Sequence, residues 1–373
     1  MNTLDQSHEK MMSKAIKLAQ KAWGQTHDNP MVGALIVHEG SILSEGYHQY
    51  SGGPHAEVMA LEGLKEIPNE QTQLFITLEP CSTEGRTGAC TNAILNSGIK
   101  KVIVGTLDPN PKHAGKGIEL LKSNGIDVVT GILEADCRDL NILFNHWITQ
   151  KKPLCALKMA LTLDGCLAAS TGQSKWITGE KARENVMHWR RLFPAIGVTE
   201  TTVLNDNPRL TSRLDGKIDC PKRFIFNRRL KGLEDFEKFS VYNDAFKGNT
   251  TIIYGEGSSK ESIKSLEKTG LNAWQIRESQ DGLLFEDFLK RCAEASICGI
   301  FIEPGAKLAT HLIQNKIADY LFIYQSPKLL LDQEALTLGI NRASQRMDES
   351  INLSEIRRSD FGDDHLVRGL LKL

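Results

Sequence analysis

Apolar positions along the first part of the chain fall into two alternating rhythms. Met11, Met12, Ala15, Leu18, Ala19 and Ala22 recur at helical spacing, which predicts a helix over 8–23 ended by Gly24. Aliphatic runs at 32–37 and 42–46, parted by the Glu39-Gly40 turn, predict two strands. A helix is expected over 56–64, a short strand over 74–77, and another helix opening at 90. Strands over 101–105 and 126–130 flank a helix over 116–124. Such alternation predicts an α/β layered domain with a largely parallel sheet.

Lys151-Lys152-Pro153 reads as a linker, and the rhythm restarts after it. Buried strands are predicted over 154–160, 195–198, 223–226, 250–254, 300–303 and 320–324. Helices over 180–191, 285–295 and 306–314 separate some of them. The expected organisation is therefore α/β in both halves, with domains at 1–150 and 151–373. No G-x-G-x-x-G follows a strand, and Gly255-Glu256-Gly257 is too short to be a dinucleotide fingerprint.

Composition narrows the class. A chain of 373 residues with 40% apolar content has room for two cores. Net charge is −1 and no dense Lys/Arg run occurs, which argues against a nucleic-acid partner. The N-terminus lacks a basic segment followed by an apolar core, so no signal peptide is read. No apolar run approaches a membrane span. Eight cysteines without a framework spacing fit a reducing, cytoplasmic setting.

Chemistry enters at His55-Ala56-Glu57, Pro80-Cys81 and Cys90. One imidazole and two thiols suit zinc, and three protein ligands leave a fourth position for water, whose pKa falls to about 7. Glu57, two residues past the histidine, suits proton transfer between that water and a ring nitrogen. H-x-E followed by P-C-x-x-C is the signature of zinc nucleobase deaminases. Here position 84 is Glu, so the second cysteine comes nine residues after the first. His55 and Cys90 are expected at helix N-termini, where free amides favour a thiolate at Cys90. His48 and His113 read as surface or supporting histidines rather than ligands. A lone Glu, Cys or His elsewhere would be read as solvated or core, and only the surrounding motif overrides that.

That motif has wider company. Asn29-Pro30-Met31-Val32-Gly33, Gly46-Tyr47-His48, Pro54 to Val58, Thr77 to Ser82, Gly85-Arg86-Thr87, Cys90 and Asp108-Pro109-Asn110-Pro111 resemble the deaminase half of the bifunctional riboflavin-biosynthesis deaminase/reductases. Lys158 to Gly165, Ser174 to Thr178 and Thr202 to Pro208 are similar to the reductase half of that family. The resemblance implies a cytidine-deaminase-like three-layer N-terminal domain and a dihydrofolate-reductase-like α/β C-terminal domain. It also implies zinc-dependent deamination of 2,5-diamino-6-(5-phosphoribosylamino)pyrimidin-4(3H)-one, then NADPH-dependent reduction of the ribosyl to a ribityl chain.

Residue by residue, the resemblance gives one zinc per chain on His55, Cys81 and Cys90, with Glu57 catalytic. Asn29 falls on a substrate contact of the deaminase. Ser174, Arg190, Leu210, Arg213 and Glu303 fall on substrate contacts of the reductase. Ala160, Trp176, Thr202, Asp206 and Arg228, with Gly305, Ala306, Lys307 and Leu308, fall on NADPH positions. Arg228 and Arg229 follow a strand end and could meet a 2′-phosphate, while the N–H groups opening the helix at 306 suit a pyrophosphate. Trp176 taken alone would be an apolar core anchor. No residue stands out as the reductase proton donor. A small-molecule phosphoribosyl pyrimidine substrate and a homo-oligomer are expected, with neither nucleic acid nor membrane as partner. Two rivals remain: a nucleic-acid or nucleoside base deaminase with a non-reducing C-terminal domain, and a non-catalytic zinc module that binds a nucleotide and closes its site with a fourth protein ligand.

Overall fold

The computed structural model describes residues 3–65, 68–82, 88–339 and 346–372. The chain divides into two compact units between Lys151 and Lys152. Among the described residues, no helix is long and apolar enough to cross a membrane. All eight cysteines are free thiols, and Cys137, Cys155, Cys166, Cys292 and Cys298 are buried in the interiors of the two units.

The first unit carries α1 (Thr3–Ala19), β1 (Gly33–His38), β2 (Ser41–Tyr47), α2 (Ala56–Glu62), β3 (Thr72–Leu78) and α3 (Cys90–Ser97). It continues with β4 (Lys101–Thr106), α4 (Lys116–Ser123), β5 (Asp127–Thr130), α5 (Glu134–Leu140) and α6 (Ile142–Gln150). The strands form one sheet in the order β2-β1-β3-β4-β5. Alternation along the strands gives the sheet two apolar faces. Ala34, Ile36, Leu74, Ile76, Val102 and Val104 pack on α2, α3 and α4. Leu35, Val37, Phe75 and Ile103 pack on Met12, Ala15 and Leu18 of α1 and Cys137 of α5. The result is a three-layer helix–sheet–helix sandwich.

The sheet is less parallel than the alternation predicts. β3, β4 and β5 run parallel, but β1 is antiparallel to both β2 and β3. Glu39 and Gly40 both adopt positive φ, 47° and 77°. Two successive positive-φ residues make the tight turn that joins neighbouring antiparallel strands, so the hairpin at 38–41 imposes the reversal.

The second unit opens with β6 (Leu154–Leu161), β7 (Cys166–Ala168), α7 (Glu180–Leu192), β8 (Ala195–Thr199), α8 (Glu200–Asp206), β9 (Ser212–Leu214) and β10 (Lys217–Asp219). Next come β11 (Lys222–Phe226), α9 (Ser240–Asn243), β12 (Thr250–Gly255), α10 (Lys260–Thr269), β13 (Asn272–Ile276), β14 (Glu278–Ser279) and β15 (Gly282–Leu283). It ends with α11 (Phe285–Glu294), β16 (Gly299–Ile302), α12 (Ala306–Gln314), β17 (Tyr320–Gln325), β18 (Leu336–Thr337), β19 (Asn352–Phe361) and β20 (Asp364–Lys372).

Among the described residues a nine-stranded sheet runs β13-β12-β11-β8-β16-β6-β17-β20-β19. From β13 to β17 every pairing is parallel. All four residues of β16 are buried, as strands covered on both faces require. One face packs Phe224, Phe226, Ile300 and Ile302 on α11 and α12; the other packs Ile196, Val198, Ile225 and Ile252 on α8 and α10. The antiparallel β19–β20 hairpin completes one edge and was not predicted. The parallel run has one consequence for chemistry: the segments that follow β13, β12, β11, β8, β16 and β6 all emerge on the same edge, where open α/β sheets bind ligands.

Candidate active sites

In the first unit, β3 ends just before Glu79-Pro80-Cys81. The Glu79 amide extends the β3–β4 pairing by donating to the Thr106 carbonyl at 2.9 Å. Its buried carboxylate accepts from the backbone amides of Asp108, Gly115 and Gly117 at 3.1, 2.9 and 2.9 Å. Gly117 is required there, because a Cβ would lie 2.2 Å from the Pro80 carbonyl oxygen. Glu79 thus fixes the path into Cys81.

His55 is the N-cap residue of α2 and Cys90 the first residue of α3. The His55 Nδ1 lies 3.0 Å from Cys90 Sγ and 3.6 Å from Cys81 Sγ. The three ligand atoms lie within 4.8 Å of one another, and among the described residues no further His, Cys, Asp or Glu joins them. One imidazole nitrogen and two sulfurs converging, with no fourth protein ligand among the described residues, fit a zinc ion with an open position.

The sequence reading puts thiolate character on Cys90. In the structure the Cys90 amide, at the α3 N-terminus, donates to Cys81 Sγ at 3.3 Å. The Cys81 thiol is pushed down to about 4, first by the hydrogen bond from the Cys90 thiol and then by His55 and that amide, against burial. The Cys90 thiol is pushed up by the same contact and by burial. Glu57, only 4% exposed, follows His55 in the first turn of α2. Burial pushes its carboxyl up to about 7, opposed by its own backbone amide.

His48 is a supporting residue. Its Nδ1 sits 3.0 Å from the Pro54 carbonyl, and its ring meets the His55 ring edge-on at 5.6 Å. Half-buried Asn29 donates to Ser51 Oγ at 3.0 Å. The segment carrying it is anchored by Asn141, which exchanges two hydrogen bonds with the Met31 backbone at 2.7 and 2.9 Å. Gly85-Arg86-Thr87 lies outside the described residues.

In the second unit, Thr202 and Asp206 follow β8, Arg228 follows β11, and Gly305, Ala306, Lys307 and Leu308 follow β16, each beyond the carboxyl end of a parallel strand. Ala160 lies in β6 opposite Tyr324 of β17. Thr202 is in the first turn of α8, its amide capped by Thr199 Oγ1 at 3.4 Å. Asp206 pairs with Lys175 at 3.0 Å. Ala306, Lys307 and Leu308 open α12, whose N-cap Gly305 supplies no side-chain cap. Trp176 is not a core anchor: it is 63% exposed, stacked under the Arg183 guanidinium at 4.6 Å, and its carbonyl accepts from Lys328 Nζ at 2.6 Å. Uncapped helix amides, an exposed indole and the Arg228-Arg229 pair fit a nicotinamide dinucleotide.

Arg190 and Glu303 face each other directly, with two bonds at 2.7 and 2.9 Å, and Arg190 also donates to the Thr211 carbonyl at 3.3 Å. Glu303 is held below the usual carboxylate range by Arg190 and Lys158, against burial. Lys158, in β6, was not singled out from the sequence for a role. Its Nζ lies 5.8 Å from the Tyr324 ring centre, and burial lowers its pKa against the raising charge of Glu303. The available signal was a single cation inside an otherwise apolar strand, Leu154–Leu161.

Leu210, 1% exposed, takes a positive φ of 53° between Arg209 and Thr211. Arg223 holds this stretch from below. Its buried guanidinium donates to the Arg209 carbonyl, the Val241 carbonyl, Thr250 Oγ1 and both oxygens of Asp244. Arg213 bonds Thr211 Oγ1 at 2.8 Å and lines a cavity of about 380 Å³ with Arg209 and Lys238; neither Arg190 nor Glu303 lines it. Half-buried Ser174 accepts from the Ile177 amide at 3.1 Å through its carbonyl.

Comparison with known proteins finds likeness in both units. The family described as the cytidine and deoxycytidylate deaminase zinc-binding region matches residues 5–106, which contain His55, Glu57, Cys81 and Cys90. The family described as the RibD C-terminal domain matches residues 153–354. The chain is 37% identical to the riboflavin biosynthesis protein RibD of Aquifex aeolicus, over 95% of this chain and 96% of that one. It is 35% identical to RibD of Escherichia coli, over 86% and 88%. A solved diaminohydroxyphosphoribosylaminopyrimidine deaminase/5-amino-6-(5-phosphoribosylamino)uracil reductase from Thermotoga maritima superposes with a TM-score of 0.76 at 34% identity, covering 99% of each chain. RibD of Acinetobacter baumannii gives 0.76 at 30%, covering 99% and 100%. The architecture is accordingly cytidine-deaminase-like in the first unit and dihydrofolate-reductase-like in the second. Because the likeness runs through both units and not one alone, the chain belongs to the RibD family of riboflavin-biosynthesis proteins.

Proposed function

We propose that this chain is the bifunctional deaminase/reductase of riboflavin biosynthesis, with residues 1–150 deaminating and residues 151–373 reducing. The observation that carries the reading is the convergence of His55, Cys81 and Cys90 beside buried Glu57. Zinc held by those three residues, when bound, polarises the attacking water. Glu57 takes a proton from the water and passes it to the departing amine, so ammonia leaves and the water oxygen stays on the pyrimidine ring. A carboxyl near pKa 7 can do both. Asn29 orients the ring or ribose.

In the second unit NADPH, when bound, would supply the hydride that reduces the ribose. Ala160, Trp176, Thr202, Asp206, Arg228 and the stretch Gly305, Ala306, Lys307 and Leu308 hold the cofactor. Ser174, Arg190, Leu210, Arg213 and Glu303 hold the phosphoribosyl substrate. Lys158 gives a proton to the ribose ring oxygen as the ring opens, a role supported by its place beside Glu303 and Arg190. A homo-oligomer in the cytoplasm, acting on a small molecule, completes the proposal.

A two-stage assay tests it. Purified protein should release ammonia from the diaminopyrimidinone phosphoriboside and then consume NADPH. Ammonia release from an oligonucleotide instead, with no NADPH consumption, would favour the rival deaminase.

A further inference from the structure

β11, β12 and β13 are neighbours in the sheet and run in one direction. Arg228 and Arg229 follow β11, the Gly255-Glu256-Gly257 turn ends β12, and the β14–β15 hairpin, which begins with Glu278, follows β13. These three segments meet at one carboxylate. Glu278 accepts from Arg228 Nε at 2.6 Å, from Arg229 Nη1 at 2.6 Å and from the Gly257 amide at 2.7 Å. Its side chain is 11% exposed, whereas Arg228 and Arg229 are 35% and 41% exposed. Arg228 Nη2 is tied to the Ser279 carbonyl at 3.0 Å.

The turn is shaped around the carboxylate. A Cβ on Gly255 would come 2.0 Å from Glu278 Oε1, and one on Gly257 would come 2.8 Å from Arg229 Nη1. Two guanidinium groups and a backbone N–H form the donor set that grips a phosphate monoester. Here that donor set already holds an anion, and the anion belongs to the chain.

We infer that Glu278 is an internal counter-anion in the seat of the cofactor's 2′-phosphate, and that it sets how strongly the enzyme prefers NADPH to NADH. The inference rests on the assignment of Arg228 to the cofactor in the proposed function. Without cofactor, the carboxylate holds two adjacent cations together that would otherwise repel. With cofactor, the phosphate binds the outward N–H groups of the same arginines against the charge of Glu278. Both anions then share one pair of cations, and like charges at such range oppose each other. Glu278 therefore weakens the 2′-phosphate contact and leaves a cofactor lacking that phosphate unaffected.

The test uses the full chain and four probes: adenosine 2′-monophosphate, adenosine 5′-monophosphate, NADPH and NADH. Glu278→Gln keeps the shape and one acceptor but removes the charge. It should tighten adenosine 2′-monophosphate and NADPH roughly tenfold, a modest share of the Coulomb scale for close charges. Adenosine 5′-monophosphate and NADH should stay unchanged, and added salt should erase the gain. Glu278→Asp keeps the charge and should show no gain. Tightening in both variants would make the effect steric and overturn the inference. So would unchanged or weaker 2′-phosphate binding in Glu278→Gln, which would reduce Glu278 to a brace. Arg228→Ala separates the two layers. If it lowers the preference for NADPH while Glu278→Gln changes nothing, only the counter-anion fails; if it leaves that preference intact, the cofactor assignment fails as well.

Discussion

Arg190 and Glu303, 113 residues apart in sequence, meet fork to fork at the carboxyl edge of the second sheet. Each of the two was expected to touch substrate, and each is first of all the other's partner. Their side chains are 10% and 19% exposed, so the pair is largely withdrawn from water.

Replacing Arg190 should therefore act twice. Arg190→Lys loses the two-point geometry that a planar guanidinium alone provides. The expected outcome is a fall of about tenfold or more in reductase kcat/KM, on the scale of a charge-assisted hydrogen bond. Arg190→Ala leaves the largely buried Glu303 carboxylate with only Lys158 as a nearby cation and should also lower stability, by up to about 3–5 kcal/mol. Thermal unfolding alongside NADPH consumption checks both, and a silent Arg190→Lys would remove the pair from the reductase site.

Glu57→Gln should keep zinc and lose deamination. The amide is nearly isosteric but carries no proton back and forth, and general acid–base groups contribute about 10²–10⁴-fold. Metal analysis with an ammonia-release assay is the measurement. Near-normal turnover would place the proton transfer elsewhere.

Stripping the metal should separate the two reactions. His55, Cys81 and Cys90 all lie before the division at Lys151, and the proposed NADPH contacts all lie after it. A chelator, or Cys81→Ser, should abolish deamination while chemically supplied deaminated substrate is still reduced. Loss of both activities together would contradict the assignment of one reaction to each unit.

Glu79→Gln should loosen Cys81 without touching it. The carboxylate accepts from the amides of Asp108, Gly115 and Gly117, and an amide side chain would present its own N–H to at least one of those donors. Hydrogen bonds to charged groups are worth roughly 1.5–3 kcal/mol each, so a clear drop in unfolding temperature and in zinc retention is expected. Unchanged zinc retention would limit Glu79 to a local role in the loop.

How much of this could be read from the chain follows from distance along it. His55 and Glu57 are two residues apart and Cys81 and Cys90 nine, so local motifs pointed to the His–Cys–Cys cluster and to the buried glutamate beside it. The strands of the parallel core were legible because a strand buried on both faces is a continuous apolar run, as in Gly299–Ile302. β19 was not, because most of its residues are exposed or half-exposed on an edge and leave no apolar signal. The Arg190–Glu303 contact, Lys158 beside it and Glu278 against Arg228 and Arg229 depend on strand order. Order in a sheet such as β13-β12-β11-β8-β16-β6-β17 is set by crossovers, and no local pattern in the sequence encodes it.

Arg223 carries a last consequence. All five N–H donors of its guanidinium find an acceptor, and three of the groups they reach are two backbone carbonyls and a carboxylate that only a forked cation spans. A lysine there could not reproduce them. The route of the backbone through Arg209 and Leu210 is thus set from beneath, by a residue that never meets solvent. The side chains on top of that route can be exchanged without rerouting it. Divergence at 209 and 213 can change the charge that lines the cavity while the backbone beneath it is inherited unaltered.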